Sequence, residues 1–175
     1  MRYLSPVVAA CVLAGVFALQ ADADGTPSAD DIVQALKPIK TRNLRNLMAT
    51  PSLPETPKNV PPPSIALTID FDFNSSHLSP DSRATLKHLA DALKSPDLAG
   101  GRFMIEGHTD AKGRDDYNLK LSTLREAEVR RELVAEGVNA DALQAVGKGA
   151  RELANQVDPY SAENRRVRIV NLTGN

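Results

Sequence analysis

The sequence predicts an α+β fold, a βαβαββ two-layer sandwich whose small mixed sheet carries its helices on one face. Three observations lead there. Ile65, Leu67, Ile69, Phe71 and Phe73 alternate with Ala66, Thr68, Asp70 and Asp72, the pattern of a strand with one buried face. Two longer segments, after Ser79 and after Asp115, carry apolar residues at helical spacing, each between strand-like runs. Ser79-Pro80, Ser95-Pro96, Gly100-Gly101 and Gly137 punctuate the elements where a chain must turn or stop.

Taken in order, residues 1–23 read as a secretory signal: Arg2 is the positive region, Val7 to Leu19 the apolar run, and Ala21-Asp22-Ala23 a small-x-small cleavage site. The run is too short for a membrane span. Val8-Ala9-Ala10-Cys11 has the form of a lipoprotein box, but only ten residues precede Cys11 and an apolar stretch follows it, where a lipid-anchored chain would leave through a polar tether. The expected location is the periplasm, with association to the outer membrane left open.

Residues 24–64 read as an N-terminal extension and a Pro-rich linker. Ser28 can cap a short helix with Asp30 and Asp31 in its first turn and Ile32, Ala35 and Leu36 as its apolar stripe. Lys37, Lys40, Arg42 and Arg45 interleave with Leu44, Leu47 and Met48, so residues 28–48 are either a solvated linker or a docking segment for an envelope partner or an anionic surface. Pro51, Pro54, Pro57 and Pro61-Pro62-Pro63 make an extended spacer.

The domain proper is expected over 65–175. After the strand from Ile65, Ser79 caps a helix with Pro80 at its first position and Leu86, Leu89, Ala90 and Leu93 facing inward. Arg102 to Thr109 is the second strand, Asp116 to Glu136 the second helix, Leu143 to Gly149 a third strand and Arg165 to Leu172 a fourth. In the last strand Val167 and Ile169 point to the core. Arg166 and Arg168 then face the open side, where Asp70, Asp72 and Glu106 can pair with them, and Arg165 faces the helix side.

The chemistry concentrates at Glu106-Gly107-His108-Thr109-Asp110 and at Asn118, Ser122 and Arg125, spaced i, i+4, i+7 on one helical face. That face also carries Leu121, Val129 and Leu133, so the polar residues point where a core should be. A buried guanidinium is costly unless paired. Asp110 and Arg125 are therefore either a structural ion pair or the two poles of a site for a group with both charges.

The runs FDFNSSHLSPDSRATLKHLADALKS, RFMIEGHTDAKGRDDYNLKLSTLREAEVRREL, AVGKGAREL and NRRVRI together resemble the OmpA C-terminal-like family of peptidoglycan-binding domains, from about Ile65 to Leu172. GHTD, then N-x-x-L-S-x-x-R, then NRRV carry the resemblance. It implies non-covalent binding of the peptidoglycan stem peptide and no enzymatic activity. The diaminopimelate end of such a peptide has an ammonium and a carboxylate on one carbon. Asp110 would accept from the ammonium and Arg125 would hold the carboxylate with its guanidinium fork. The resemblance adds Asn118 and Arg165 as polar contacts, with Asn74 and Thr109 lining the same pocket. Two departures, the absence of a proline in AREL and Arg168 after NRRV, touch neither Asp110 nor Arg125.

Other classes find less support. A formal net charge of −1 gives no electrostatic reason to expect nucleic acid, and four Phe, three Tyr and no Trp offer no evident stacking platform. Glu106, His108 and Asp110 alternate along a strand and can share a face as metal ligands. His88 and His77 supply no second cluster, however, and no catalytic triad order, phosphate loop or HExxH motif is present. No catalytic residue, metal or cofactor is expected.

Overall fold

The computed structural model describes residues 26–38, 61–71 and 75–173. The signal, Cys11, Asn74 and most of the Pro-rich spacer lie outside these residues. The elements run α1 (Ala29–Leu36), β1 (Ser64–Leu67), α2 (Pro80–Lys94), β2 (Phe103–His108), α3 (Asp115–Ala135), β3 (Leu143–Gly149) and β4 (Val167–Asn171). The four strands form one sheet in the order β1-β4-β2-β3. β2 and β3 are parallel, while β4 runs antiparallel to both β1 and β2. The expected α+β architecture with a small mixed sheet is the one observed.

Local chemistry starts α2 and stops α3. The Ser79 hydroxyl accepts from Ser82 N and Pro80 occupies the first turn of α2, where a missing N–H costs nothing. Leu86, Leu89, Ala90 and Leu93 are buried against Phe103, Ile105, Val129, Leu133, Val167 and Ile169. α3 stops at Gly137, whose φ of +91° favours a residue without a Cβ.

Two expectations need correction. β1 pairs with β4 only over Ser64–Leu67, although the alternation continues: Ile69 is buried, and Phe71 makes an isolated bridge to Leu78. The helix predicted after Ser28 forms with a complete capping box between Ser28 and Asp31, yet it does not stand apart from the domain. Ile32, Val33 and Leu36 are buried in the same core as α2, and the Asn171 amide donates to Leu36 O at 2.9 Å. Lys37 also pairs with Asp97 at 3.0 Å. Full burial of an aliphatic side chain is worth about 1.5–3 kcal/mol. The apolar stripe of α1 is thus occupied within the chain, and the domain's core extends N-terminal to the boundary expected at residue 65.

Candidate binding site

The C-terminal end of β2 and the first half of α3 meet because two strands carry glycine where the helix crosses them. A Cβ on Gly107 would lie 2.6 Å from Ser122 O, and one on Gly147 would lie 2.8 Å from Ser122 Oγ and 2.6 Å from Thr123 N. Ser122 is fully buried; its hydroxyl donates to Leu119 O and accepts from Gly149 N at 2.9 Å. This clamp of helix on sheet brings Asn118, Leu121 and Arg125 beside Thr109 and Asp110, which leave β2. Across from them stands the loop before β4, organised by Asn164. That side chain is fully buried, and its amide donates to Asn155 O, Asp158 O and Pro159 O. A link from Ala111 N to Pro159 O joins the two walls.

Between them lies a cavity of about 600 Å³, lined by Asp110, Thr109, Asn118, Arg125, Arg165 and five further residues. Asp110 and Arg125 do not form the ion pair that the sequence left open. Asp110 accepts from Lys112 N through Oδ1, and its Oδ2 pairs with Arg165 at 2.9 Å. The Arg125 guanidinium lies 4.7 Å from the Phe71 ring centroid, and its Nε donates to Ser75 O at 3.3 Å. Among the described residues no carboxylate reaches it at ion-pair distance. Burial holds its pKa below the usual arginine value; Tyr117 and Asp110 act in the opposite sense, and nearby Arg165 adds to the lowering.

Five of the six residues expected at the site share this cavity; the sixth, Asn74, lies outside the described residues. Their parts differ. Asn118 is buried and its amide donates to Asp110 O and Lys112 O, so it shapes the loop that carries the acid. Thr109 is buried with its hydroxyl lacking a hydrogen-bond partner among the described residues. Sequence reasoning missed Phe71, Lys112, Tyr117 and Tyr160, which complete the lining with Leu121, and it missed Asn164. Tyr117 directly precedes Asn118 and was within reach of the motif. Tyr160 sits in a loop without periodicity and carried no signal.

The open face of the sheet holds a second concentration of charge. Glu106, His108 and Glu152 bring ligand-type atoms within 4.8 Å of one another, whereas the set weighed from the sequence included Asp110, which turns instead to Arg165. Cations already stand at both acids: Lys148 is 2.7 Å from Glu152 Oε1 and 3.8 Å from Glu106 Oε1, and Arg168 is 3.2 Å from Glu106 Oε2. A divalent ion would find these carboxylates neutralised. Another hollow of about 400 Å³, at the N-terminal end of β2, is bounded largely by the turns at Gly100, Gly101 and Gly137; it carries Lys94, Arg102 and Asp141, and Lys94 is already engaged by Asp91 and Glu136 O.

A two-layer α+β domain with a concave site of one carboxylate and two guanidiniums is thereby defined. The chain belongs to the OmpA family, whose profile matches residues 70–168. It is 38% identical over 104 residues to a peptidoglycan-associated lipoprotein of Pseudomonas aeruginosa, covering 58% of this chain and 60% of that protein. It is 34% identical over 122 residues to outer membrane protein A of Bordetella avium, covering 66% and 62%. The chain therefore spans about three fifths of the length of these curated relatives. Among solved structures, the peptidoglycan-associated lipoprotein of Burkholderia pseudomallei superposes with a TM-score of 0.50 at 32% identity, covering 59% of this chain and 87% of that one. No helix among the described residues is long and apolar enough to cross a membrane.

Proposed function

We propose that this domain binds peptidoglycan non-covalently in the bacterial envelope, on the periplasmic side, by gripping the diaminopimelate end of the stem peptide. The observation that carries this reading is Arg125. Its guanidinium lines the cavity, is partly desolvated, rests on a backbone carbonyl and an aromatic ring with Tyr117 and Asp110 acting on it electrostatically, and has no carboxylate at ion-pair distance among the described residues. A cation so placed suits a carboxylate brought by a ligand, and its planar fork suits a bidentate one. Asp110 receives the ammonium of the same carbon, and Arg165 and the Thr109 hydroxyl add contacts. Asn118 acts through the loop it holds. Asn74 belongs to the same proposal by resemblance of its motif. The kinship with peptidoglycan-associated lipoproteins supports the reading.

On the same proposal binding is without cleavage, as the kinship with peptidoglycan-associated lipoproteins and the opposed charges of the cavity suggest. Co-sedimentation with purified sacculi at low salt should retain the protein, and the sacculi should release no fragments. Failure to sediment, or loss of sacculus turbidity, refutes it.

A further inference from the structure

We propose that the Asp110–Arg165 ion pair is a selectivity lock: Arg165 occupies the ammonium position of the site until a ligand bearing both an ammonium and a carboxylate exchanges with it. This rests on the function proposed above and deepens it. Asp110 is largely buried, its side chain 14% exposed, and is held at Oδ1 by Lys112 N. Its remaining oxygen is the one an incoming ammonium needs, and Arg165 already sits there at 2.9 Å. The Arg165 side chain is 50% exposed, so it is the partner free to swing.

Where it swings decides which ligands enter. Arg125 is fixed by Ser75 O and the Phe71 ring, and the two guanidiniums repel one another across the cavity. An anion between them removes that repulsion. A ligand with an ammonium alone must eject Arg165 and offers it nothing in return. A zwitterionic end replaces Arg165 at Asp110 and supplies a carboxylate to the arginine it displaces. An ammonium alone trades one ion pair for one and leaves Arg165 unpaired, whereas a zwitterionic end turns one ion pair into two, and so the lock favours ligands carrying both charges.

The experiment compares two soluble muropeptides, one with diaminopimelate and one with lysine at the same position, which keeps the ammonium and lacks the carboxylate. Affinities are measured by titration calorimetry for wild type, Arg165→Met and Arg165→Gln, with melting curves to confirm folding. Wild type should prefer the diaminopimelate ligand. Both variants should bind the lysine ligand more tightly, by up to about fivefold, the equilibrium worth of an exposed ion pair, and bind the diaminopimelate ligand more weakly. In Asp110→Asn the Arg165 substitutions should no longer improve lysine-ligand binding. Wild type that binds neither muropeptide overturns the proposed function and the lock with it. Wild type that binds the diaminopimelate ligand, with lysine-ligand affinity unchanged or lower in both variants, overturns the lock alone.

Discussion

The pocket and the open face of the sheet are both rich in charge, and they use it in opposite ways. On the open face Glu106 and Arg168 stand opposite in the β2–β4 register, and Lys148 links Glu106 to Glu152. Each of those carboxylates has a cation supplied by the chain. In the pocket the count is uneven: Asp110 has Arg165, while Arg125 has no carboxylate partner among the described residues. Regular strands present partners at fixed cross-strand spacing, so charge there is matched locally. A cavity formed by a strand end, a helix and a loop has no such ladder, and leaves room for a ligand to complete the match.

That contrast can be tested directly. The largest effect is expected from Arg125→Lys, which keeps the charge and loses the fork. Removing one partner of a buried charged contact typically costs about 2–5 kcal/mol of binding. Sacculus affinity should fall nearly as far as in Arg125→Ala, with the melting curve little changed. If Arg125→Lys binds like wild type, the planar fork is not what recognises the ligand.

Open-face substitution should show the reverse split. Glu106→Gln leaves Arg168 and Lys148 without their shared acid, and a loss of about 1–3 kcal/mol in stability is expected. Sacculus binding should remain at the wild-type level. A binding defect at Glu106 comparable to that at Arg125 would merge the two regions into one site. Gly107→Ala lies between them: the new methyl group meets a helix backbone carbonyl that cannot move aside cheaply. About 1–3 kcal/mol of stability should be lost to overpacking, read by denaturant unfolding.

Much of this was legible in the sequence, and the limits have physical causes. Alternation from Ile65 reported burial correctly at Leu67 and Ile69, but periodicity says nothing of ladder hydrogen bonds, and β1 ends at Leu67. Parity placed Arg168 on the open face with Glu106 and Arg165 on the other side, and both directions hold. The partner of Asp110 was not legible, because Arg165 lies 55 residues away in an aperiodic loop. The helix of residues 29–36 was legible as amphipathic. What its stripe packs on was not, since contacts such as Asn171 with Leu36 span 135 positions.

The smallest expected effect concerns pH and separates the two regions by their titration. His108 is buried on the open face with both ring nitrogens lacking hydrogen-bond partners among the described residues. Burial pushes its pKa below 6.5 and Arg166 pushes the same way, while Glu106 and Glu152 oppose them. The groups facing it also include Lys148 and Arg168 through their pairs with these acids. A base with a depressed folded pKa is protonated first in the unfolded chain, so its contribution is whole above about 6.5 and is lost as pH falls through the folded value. Glu126 works against this, because burial raises its pKa above 4.5 and acid relieves the cost of its charge. Glu152 is held below 4.5 chiefly by its hydrogen bond to Lys148, so its contribution is lost only at lower pH. Comparing wild type with His108→Leu isolates the histidine, since the other groups remain in both. Melting temperatures between pH 7.5 and 5 should fall more steeply for wild type, and the variant, which buries no unpartnered nitrogen, should be no less stable at the acid end. Sacculus binding over the same range should follow His108 only weakly, because His108 does not line the cavity of Asp110 and Arg125 and meets Arg125 and Arg165 only at a small adjoining hollow. Parallel melting slopes would show that His108 does not titrate on its own terms, and a binding midpoint that moves in His108→Leu would join the open face to the pocket.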